Sequence, residues 1–273
     1  MVQEEPPRAL FASLVDDAGL FPPTALSMAD ALARHAADLE EASPVLTHRL
    51  VCPADRLGEL SSLLDGEIDL LLLGPLDDGL AAFLEAVAAD ERLSLRGIEG
   101  VVSETTGTLR TEVPVYAEVP VRGEWGALLS KAVDLGFSAK VRCGGMREEL
   151  FPTADELGRF IHRCAAQAVA FKATAGLHHA LPYTEESTGF HHHGYLNLLL
   201  AAVRAVDGAT AAETAAALEL EDADAVTDEL ARVGDDLASR ARALFVSYGS
   251  CSTREPLSDL ARLGLIDAGA AAR

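Results

Sequence analysis

Residues 68–102 read IDLLLLGPLDDGLAAFLEAVAADERLSLRGIEGVV, and this stretch decides the fold. An apolar run of strand length covers 70–73, a segment with helical periodicity covers 78–89, and a second strand pattern covers 96–102. A strand that is apolar on both faces is typical of a parallel sheet covered by helices on both sides. The order strand, helix, strand therefore predicts two parallel strands joined by a crossover helix.

The same alternation extends over most of the chain. Strands are predicted at 12–15, 48–51, 70–73, 96–102, 113–119, 137–141, 168–172 and 244–248, and helices at 27–40, 54–64, 78–89, 124–135, 153–166 and 256–263. Eight such strands predict an α/β fold, a closed (β/α)8 barrel of the TIM type. The alternative is an open doubly wound sheet, but no GxGxxG or GxxxxGK[ST] motif follows any strand, which argues against a nucleotide-binding sheet.

Two segments depart from the regular repeat. The stretch 103–112, SETTGTLRTE, has no helical period, so the connection between strands four and five is expected to be irregular. Residues 180–243 form an alanine-rich, mostly helical stretch, which predicts an insertion between strands seven and eight. Because there is no internal repeat and no low-complexity linker, residues 1–273 are expected to form a single barrel domain.

Composition restricts the partners of the protein. There are 43 acidic and 22 basic residues, a formal net charge of -21, which repels nucleic-acid phosphates and anionic lipid. The four cysteines contain no CxxC pair, and the first ten residues lack the apolar region of a secretory signal. These features predict a soluble cytoplasmic protein that binds neither nucleic acid nor membrane, and a homo-oligomer is compatible with them.

Two cations share one face of the predicted sixth strand, in FSAKVRCGG. Strand alternation places Lys140 and Arg142 on the same side, where they repel each other unless an anion lies between them. A lysine crowded by a second cation and partly desolvated has a lowered pKa and attacks carbonyl carbons as the neutral amine. The alternative is a solvated strand end or a pair of structural ion pairs.

A third cation, Lys172, follows the apolar run of the predicted seventh strand. A lysine rarely enters a buried strand without a partner or a task. Gly176 comes four residues later and allows a ligand to approach the backbone closely. The alternative is that Lys172 is paired with a core carboxylate such as Asp16 or Glu118.

Acidic residues close two of the predicted strands. Asp16 and Asp17 follow the first strand, and Glu118 lies near the end of the fifth. A carboxylate at the C-terminal end of a barrel strand is a candidate acid or base. The alternative is that these carboxylates only neutralise the nearby cations.

A short loop, GSCS, follows the last predicted strand and precedes a helix. Backbone N–H groups in such a loop suit a phosphate, which makes Gly249, Ser250 and Ser252 candidate ligands of an anionic group. An ordinary helix-capping turn explains the same residues. Cys251 has no histidine at a fixed spacing, so the sequence gives no support for a cysteine nucleophile.

Five of the eight histidines lie in two groups, 178–179 and 191–193. The economical interpretation is that His178 moves protons and that His179 and His192 bind an anionic substrate. The alternative is that one histidine from each group joins a carboxylate in a divalent metal site, for example for zinc. No HExxH or HxH motif supports that metal site.

Four segments together resemble class I, Schiff-base aldolases of the deoxyribose-phosphate aldolase type. They are LVDD at 14–17, KVRCG at 140–144, KATAG at 172–176 and YGSCS at 248–252. The resemblance implies a barrel fold in which Lys140 forms an imine with the substrate and Lys172 lowers the pKa of Lys140. It also implies that residues 249–252 hold a phosphate.

The leading prediction is a lyase or isomerase that acts on a small anionic carbonyl compound, phosphorylated or not, without a cofactor. The amine comes from Lys140 or Lys172, Arg142 binds the anionic group, and Asp16, Glu118 and His178 assist. Two alternatives remain open at this point. One is a metal-dependent lyase or hydrolase that uses the histidines, and the other is a non-catalytic barrel that binds a phosphorylated metabolite or a partner protein.

Overall fold

A computed structural model describes residues 8–267, and its central feature is a closed barrel of eight parallel strands. The barrel strands are β1 (Val15–Asp17), β2 (Leu46–Pro53), β3 (Ile68–Leu73), β4 (Leu93–Val101), β5 (Val115–Glu118), β6 (Ser138–Arg142), β7 (Phe171–Thr174) and β10 (Phe245–Ser250). β1 pairs with both β2 and β10, which closes the barrel. The predicted α/β barrel is therefore confirmed.

The remaining elements surround this barrel. The helices are α1 (Met28–Glu41), α2 (Leu57–Leu63), α3 (Leu80–Ala88), α4 (Trp125–Asp134), α5 (Ala154–Ala166), α6 (Tyr195–Val206), α7 (Ala211–Leu218), α8 (Ala223–Ala231), α9 (Asp235–Leu244) and α10 (Arg254–Arg262). A separate antiparallel hairpin consists of β8 (Tyr183–Thr184) and β9 (His191–His192). Within residues 8–267, no helix combines the length and apolar character needed to cross a bilayer.

Both irregular segments lie where the sequence predicts them. Residues 102–114 contain no helix, so β4 and β5 are joined by an irregular loop. Between β7 and β10 the chain forms the hairpin and then α6 to α9. Helix α6 is buried along almost its whole length because α5, α7, α8 and α9 pack around it.

Two strands, β1 and β7, begin three residues later than predicted, and backbone conformation explains both differences. Ser13 has φ +49° and Ala168 has φ +52°, so the chain is left-handed at these residues and cannot be extended there. The first strand therefore starts at Val15 and includes both aspartates, which the sequence analysis had placed after the strand. The seventh strand starts at Phe171 and not at 168.

The apolar core lies mainly between the strands and the outer helices. Alternate strand residues such as Ala139, Val141 and Phe171 belong to this layer and are fully buried. The lumen has a different composition, because only a small apolar cluster of Ala18, Val51, Leu71 and Tyr116 is separate from the main core. Polar and charged strand residues also face the lumen, and they form the candidate site.

Candidate active site

A continuous row of ion pairs runs through the lumen of the barrel. Glu99 on β4 contacts Lys140 on β6 and Lys172 on β7, and neither strand is a neighbour of β4 in the sheet. These contacts therefore cross the lumen. We call the row the ionic chain, and its members in order of contact are Arg49, Asp16, Lys172, Glu99, Lys140, Glu118 and Arg142.

Lys172 lies at the centre of the ionic chain and is fully buried. Its Nζ lies 2.5 Å from Asp16 Oδ2 and 2.6 Å from Glu99 Oε1. The same Nζ is 5.5 Å from the centroid of the Tyr116 ring, within the range of a cation–π contact. Lys172 thus has the core carboxylate partner that the sequence analysis gave as the alternative to a catalytic task.

Lys140 is the next cation along the ionic chain, and it is the register partner of Lys172 on the adjacent strand. Its Nζ lies 2.9 Å from Glu99 Oε2 and 3.2 Å from Glu118 Oε2. Arg142 Nε donates to Glu118 Oε1 at 3.0 Å. Lys140 and Arg142 share a face as predicted, and the anion that keeps them together is Glu118.

Exposure rises along this end of the ionic chain. The side chain of Lys140 is 2% exposed, that of Glu118 14% and that of Arg142 40%. Arg142 is the last residue of β6, so the ionic chain reaches solvent at the C-terminal end of the barrel. This is the end at which barrel enzymes bind their substrates.

The opposite end of the ionic chain is the ion pair of Asp16 with Arg49. The Oδ1 of Asp16 accepts from Arg49 Nε at 2.8 Å and from Thr47 Oγ1 at 2.6 Å, and its Oδ2 accepts from Ser247 Oγ at 2.7 Å. Asp17, next in sequence, points outward and pairs with Arg34 and His35 of α1. Asp16 is therefore part of the site, whereas Asp17 is not.

The charges shift the pKa values of the buried groups. Burial would raise the pKa of Asp16, Glu99 and Glu118, but the adjacent cations outweigh burial and hold the three values below the ordinary range. Burial would lower the pKa of Lys172, but Asp16 and Glu99 raise it above the ordinary lysine value. This rise has a direct cause, because two carboxylates contact the ammonium of Lys172.

The ionic chain carries one excess positive charge, since it contains four cations and three carboxylates. This excess occurs in a chain whose formal net charge is -21. The sequence has only three lysines, Lys131, Lys140 and Lys172, and two of them lie in this lumen. Lys131 is on α4, where its Nζ donates to the backbone oxygen of Glu104.

Histidines and aromatic residues lie above the C-terminal ends of β6, β7 and β10. The ring of His192 stacks on Tyr183, with centroids 4.6 Å apart, and meets Phe151 edge-on at 4.7 Å. The ring of His178 lies 5.7 Å from that of His192, and its Nδ1 is 3.6 Å from Cys251 Sγ. We call His178, Tyr183, His192 and Cys251 the rim.

The structure separates the roles of the predicted histidines. Burial lowers the pKa of His178, so its imidazole is neutral at neutral pH, and the ring is only partly buried. His192 is buried with Nδ1 2.9 Å from the Gly176 oxygen, and His193 has Nε2 2.8 Å from the Pro152 oxygen. His179 is half-exposed, with Nδ1 3.5 Å from an Asp259 carboxylate oxygen. Among these residues, His178 is therefore the best placed to transfer a proton.

The predicted metal site has no preformed ligand set in the described residues. Between residues 8 and 267, no three histidine, cysteine, aspartate or glutamate side chains converge as the ligands of a metal ion would. Stacking and backbone hydrogen bonds account for the positions of His191, His192 and His193.

The GSCS loop forms a capping turn at the end of β10. Ser250 Oγ donates to the Ser252 oxygen at 2.6 Å, and Ser252 Oγ accepts from the Glu255 N–H at 3.3 Å. Ser250 is buried and Gly249 lies within the strand. The two serine hydroxyls are thus engaged locally, as the capping alternative proposes.

Sequence reasoning missed several members of the site. These are Glu99, Arg49, Thr47 and Ser247, and the contact of Cys251 with the predicted His178 was also missed. Glu99 carries a signal that identifies it, because it is a carboxylate inside a predicted buried strand, as Lys172 is an amine inside another. No sequence spacing links His178 to Cys251, which are 73 residues apart.

The fold and the lumen define a (β/α)8 barrel with a buried ionic chain that opens at the C-terminal end of its strands. Comparisons with protein-family models, with curated proteins and with solved structures find no match to this chain.

Proposed function

We propose that this barrel is a lyase or isomerase that acts on a small anionic carbonyl compound through an imine on Lys140. The observation that supports the proposal is the ionic chain. Barrel lumens are normally filled by layers of branched apolar side chains. Burying charged groups in their place costs several kcal/mol per ion before pairing, and apolar replacements are often equally or more stable. Such departures from good packing concentrate at functional sites.

Lys140 is the better nucleophile of the two buried lysines. Lys172 is held by two carboxylates at 2.5 and 2.6 Å, and its raised pKa keeps it an ammonium. Lys140 has longer contacts, at 2.9 and 3.2 Å, and one of its partners is the partly exposed Glu118. This geometry agrees with the roles that the resemblance to Schiff-base aldolases implies for the two lysines.

Substrate binding begins at Arg142 in this proposal. Only the Nε of its half-exposed guanidinium donates to Glu118, so a carboxylate or phosphate can bind the remaining N–H groups and compete with Glu118 for Arg142. Glu118, released from Arg142, then accepts a proton from the ammonium of Lys140, and the nearby cation of Lys172 also favours the neutral amine. The neutral amine attacks the carbonyl carbon.

The covalent step requires proton transfer at the substrate oxygen. The neutral Lys140 nitrogen forms a bond to the carbonyl carbon and passes one of its two protons to the carbonyl oxygen. A second proton lets this oxygen leave as water, and the product is a protonated imine. His178 supplies a proton to that oxygen, since its imidazole lies at the end of the barrel where the ionic chain meets solvent. The imine then withdraws electrons from the adjacent C–H or C–C bond, which gives isomerisation or cleavage.

A cytoplasmic location belongs to the same proposal. All four cysteines are buried and unpaired, as a reducing compartment leaves them. The partner is a small anionic metabolite. The ionic chain has one excess positive charge and ends at the half-exposed Arg142, so it selects anions although the net charge of the protein is negative. We do not propose nucleic-acid binding.

Deuterium exchange tests this function across a substrate panel. An imine labilises the hydrogens on the carbon next to the carbonyl, so NMR in D2O detects exchange even when the natural substrate is not in the panel. We expect the wild-type protein to catalyse hydrogen–deuterium exchange in at least one phosphorylated aldehyde, sugar phosphate or keto acid. Lys140→Met is expected to abolish exchange, and Lys131→Met, the matched control, to leave it unchanged. Tight binding without exchange by any compound would favour the non-catalytic alternative.

A further inference from the structure

Cys251 differs from the other three cysteines in its surroundings. Burial raises the pKa of the Cys52 thiol to about 12, and it raises the pKa of Cys143 and of Cys164 well above the ordinary thiol value. The sulfur of Cys251 instead faces an imidazole, with 3.6 Å between Sγ and His178 Nδ1. A thiol is a weak hydrogen-bond donor and the neutral imidazole is an acceptor, so this contact has a natural direction.

The backbone of Cys251 is fixed from the outer side of the barrel. Arg34 Nη1 donates to the Cys251 oxygen at 2.7 Å, and Arg34 Nη2 pairs with Asp17. Asp17 also accepts from the Gly19 N–H at 2.9 Å and lies 3.3 Å from His35 Nδ1. Asp17, which takes no part in the ionic chain, thus anchors the loop that carries the thiol.

The surroundings of His178 leave Nδ1 to the thiol. Cys251 and the ring of His192 lie beside this ring, and the carboxylates of Glu185 and Glu255 act on it only through their charge. Among these groups, Cys251 is the one within hydrogen-bond distance of Nδ1. A histidine whose Nδ1 accepts a hydrogen bond carries its own proton on Nε2, because each neutral imidazole has one donor and one acceptor nitrogen.

We infer that Cys251 and His178 form a proton relay, in which the thiol donates to Nδ1 and Nε2–H donates to the substrate oxygen. The inference rests on the proposed function for the identity of the acceptor, but the hydrogen bond between the two residues does not. As the Nε2 proton moves to the substrate oxygen, the thiol proton moves to Nδ1. The imidazole stays neutral and a thiolate remains on Cys251. When water later hydrolyses the imine, it gives a proton to Nε2 while Nδ1 returns its proton to the thiolate, which restores the pair.

The relay avoids two charged forms of the histidine. Donation from a neutral imidazole without a second proton would leave an imidazolate, and burial disfavours the imidazolium, as the lowered pKa of His178 shows. A thiol is in general a stronger acid than the N–H of a neutral imidazole, so it is the better proton source of the two. Cys251 is therefore a positioning and proton-supplying residue that acts through His178.

Nitrogen-15 NMR of the histidine side chains tests the relay without a substrate. The His178 signals are assigned by their loss in His178→Gln, and spectra are compared for wild type, Cys251→Ser and Cys251→Ala. We expect the Nε2–H tautomer in wild type and in Cys251→Ser, whose hydroxyl also donates, and a mixture of tautomers in Cys251→Ala. A proton on Nδ1 in the wild type, or the same tautomer mixture in all three proteins, would overturn the relay.

Exchange kinetics separate this inference from the proposed function. We expect Cys251→Ala to lower the exchange rate by roughly 10²-fold, the lower end of acid–base contributions, with unchanged thermal stability and with partial rescue in Cys251→Ser. Full activity of Cys251→Ala would overturn the relay while leaving the imine chemistry intact. If the tautomers are as expected but no carbonyl compound exchanges, the proposed function fails and the relay loses its acceptor.

Discussion

At Lys172, one ammonium contacts two buried carboxylates, Asp16 and Glu99. Each carboxylate has one further cation as a partner, Arg49 for Asp16 and Lys140 for Glu99. The sequence identified this residue because an amine inside a buried strand is unusual, and it named Asp16 as a partner. It did not name the second partner, Glu99, which reaches Lys172 across the lumen from a strand that is not its neighbour. Contacts between strands on opposite sides of a barrel have no fixed sequence spacing, so they cannot be predicted from one sequence.

Removal of this ammonium gives a pH-dependent loss of stability. In wild type, the folded pKa values of Asp16 and Glu99 lie below the unfolded ones. Their contribution to the free energy of unfolding is therefore complete above about pH 4 and is lost as the pH falls through the folded values. In Lys172→Met these carboxyl pKa values rise toward the unfolded ones. The free energy of unfolding of the variant therefore falls less on acidification than that of the wild type. The contribution of Lys172 itself is lost only as the pH rises above its raised pKa, outside this range.

We expect Lys172→Met to lower the free energy of unfolding by ~3–5 kcal/mol at pH 7, the cost of breaking a buried ion pair. The difference from wild type is expected to shrink as the pH falls below about 4. Urea denaturation between pH 3 and pH 7 measures it, with Lys131→Met as the control that changes little at any pH. A difference that stays constant over this range would show that the carboxylates are not coupled to Lys172.

At the level of the elements, the C-terminal loops of β6 and β7 touch through their backbones. A Cβ on Gly176 would lie 2.7 Å from the Cys143 oxygen and 2.9 Å from the Cα of Gly144. The glycines of both KxxxG segments thus pack against each other, and the approach fixes the loop that carries His178. The sequence indicated that a ligand approaches Gly176, whereas the structure shows that the neighbouring loop does.

Gly176→Ala tests this loop contact. Gly176 has φ +73° and Gly136 has φ +77°, but a Cβ on Gly136 meets nothing within 4 Å. Gly136→Ala therefore measures the left-handed conformation alone, about 1–2 kcal/mol. We expect Gly176→Ala to cost a further ~1–3 kcal/mol because the methyl group collides with backbone. Equal losses in urea denaturation of the two variants would contradict the close packing of the loops.

Over the whole molecule, hydrophobic patterning was sufficient to predict the barrel. Eight strand patterns alternate with helical ones, and the irregular 103–112 segment and the long helical insertion both occur where the patterns change. The site was predicted in part, because strand periodicity places Lys140 and Arg142 in one lumen but does not reveal Glu99 and Arg49. The seven residues of the ionic chain come from six different strands, and only the closed barrel brings them together.

The scarcity of lysine makes the central claim directly measurable. Imine formation on Lys140 is tested by borohydride reduction in the presence of small aldehydes, sugar phosphates and keto acids, followed by mass spectrometry of peptides. Only three lysines compete for the label, and Lys131 serves as an internal control for unspecific reaction. We predict a reduced adduct on Lys140 with at least one anionic carbonyl compound, and no adduct there in Lys140→Met. Absence of any adduct on Lys140, or an adduct confined to Lys172 or Lys131, would contradict the account.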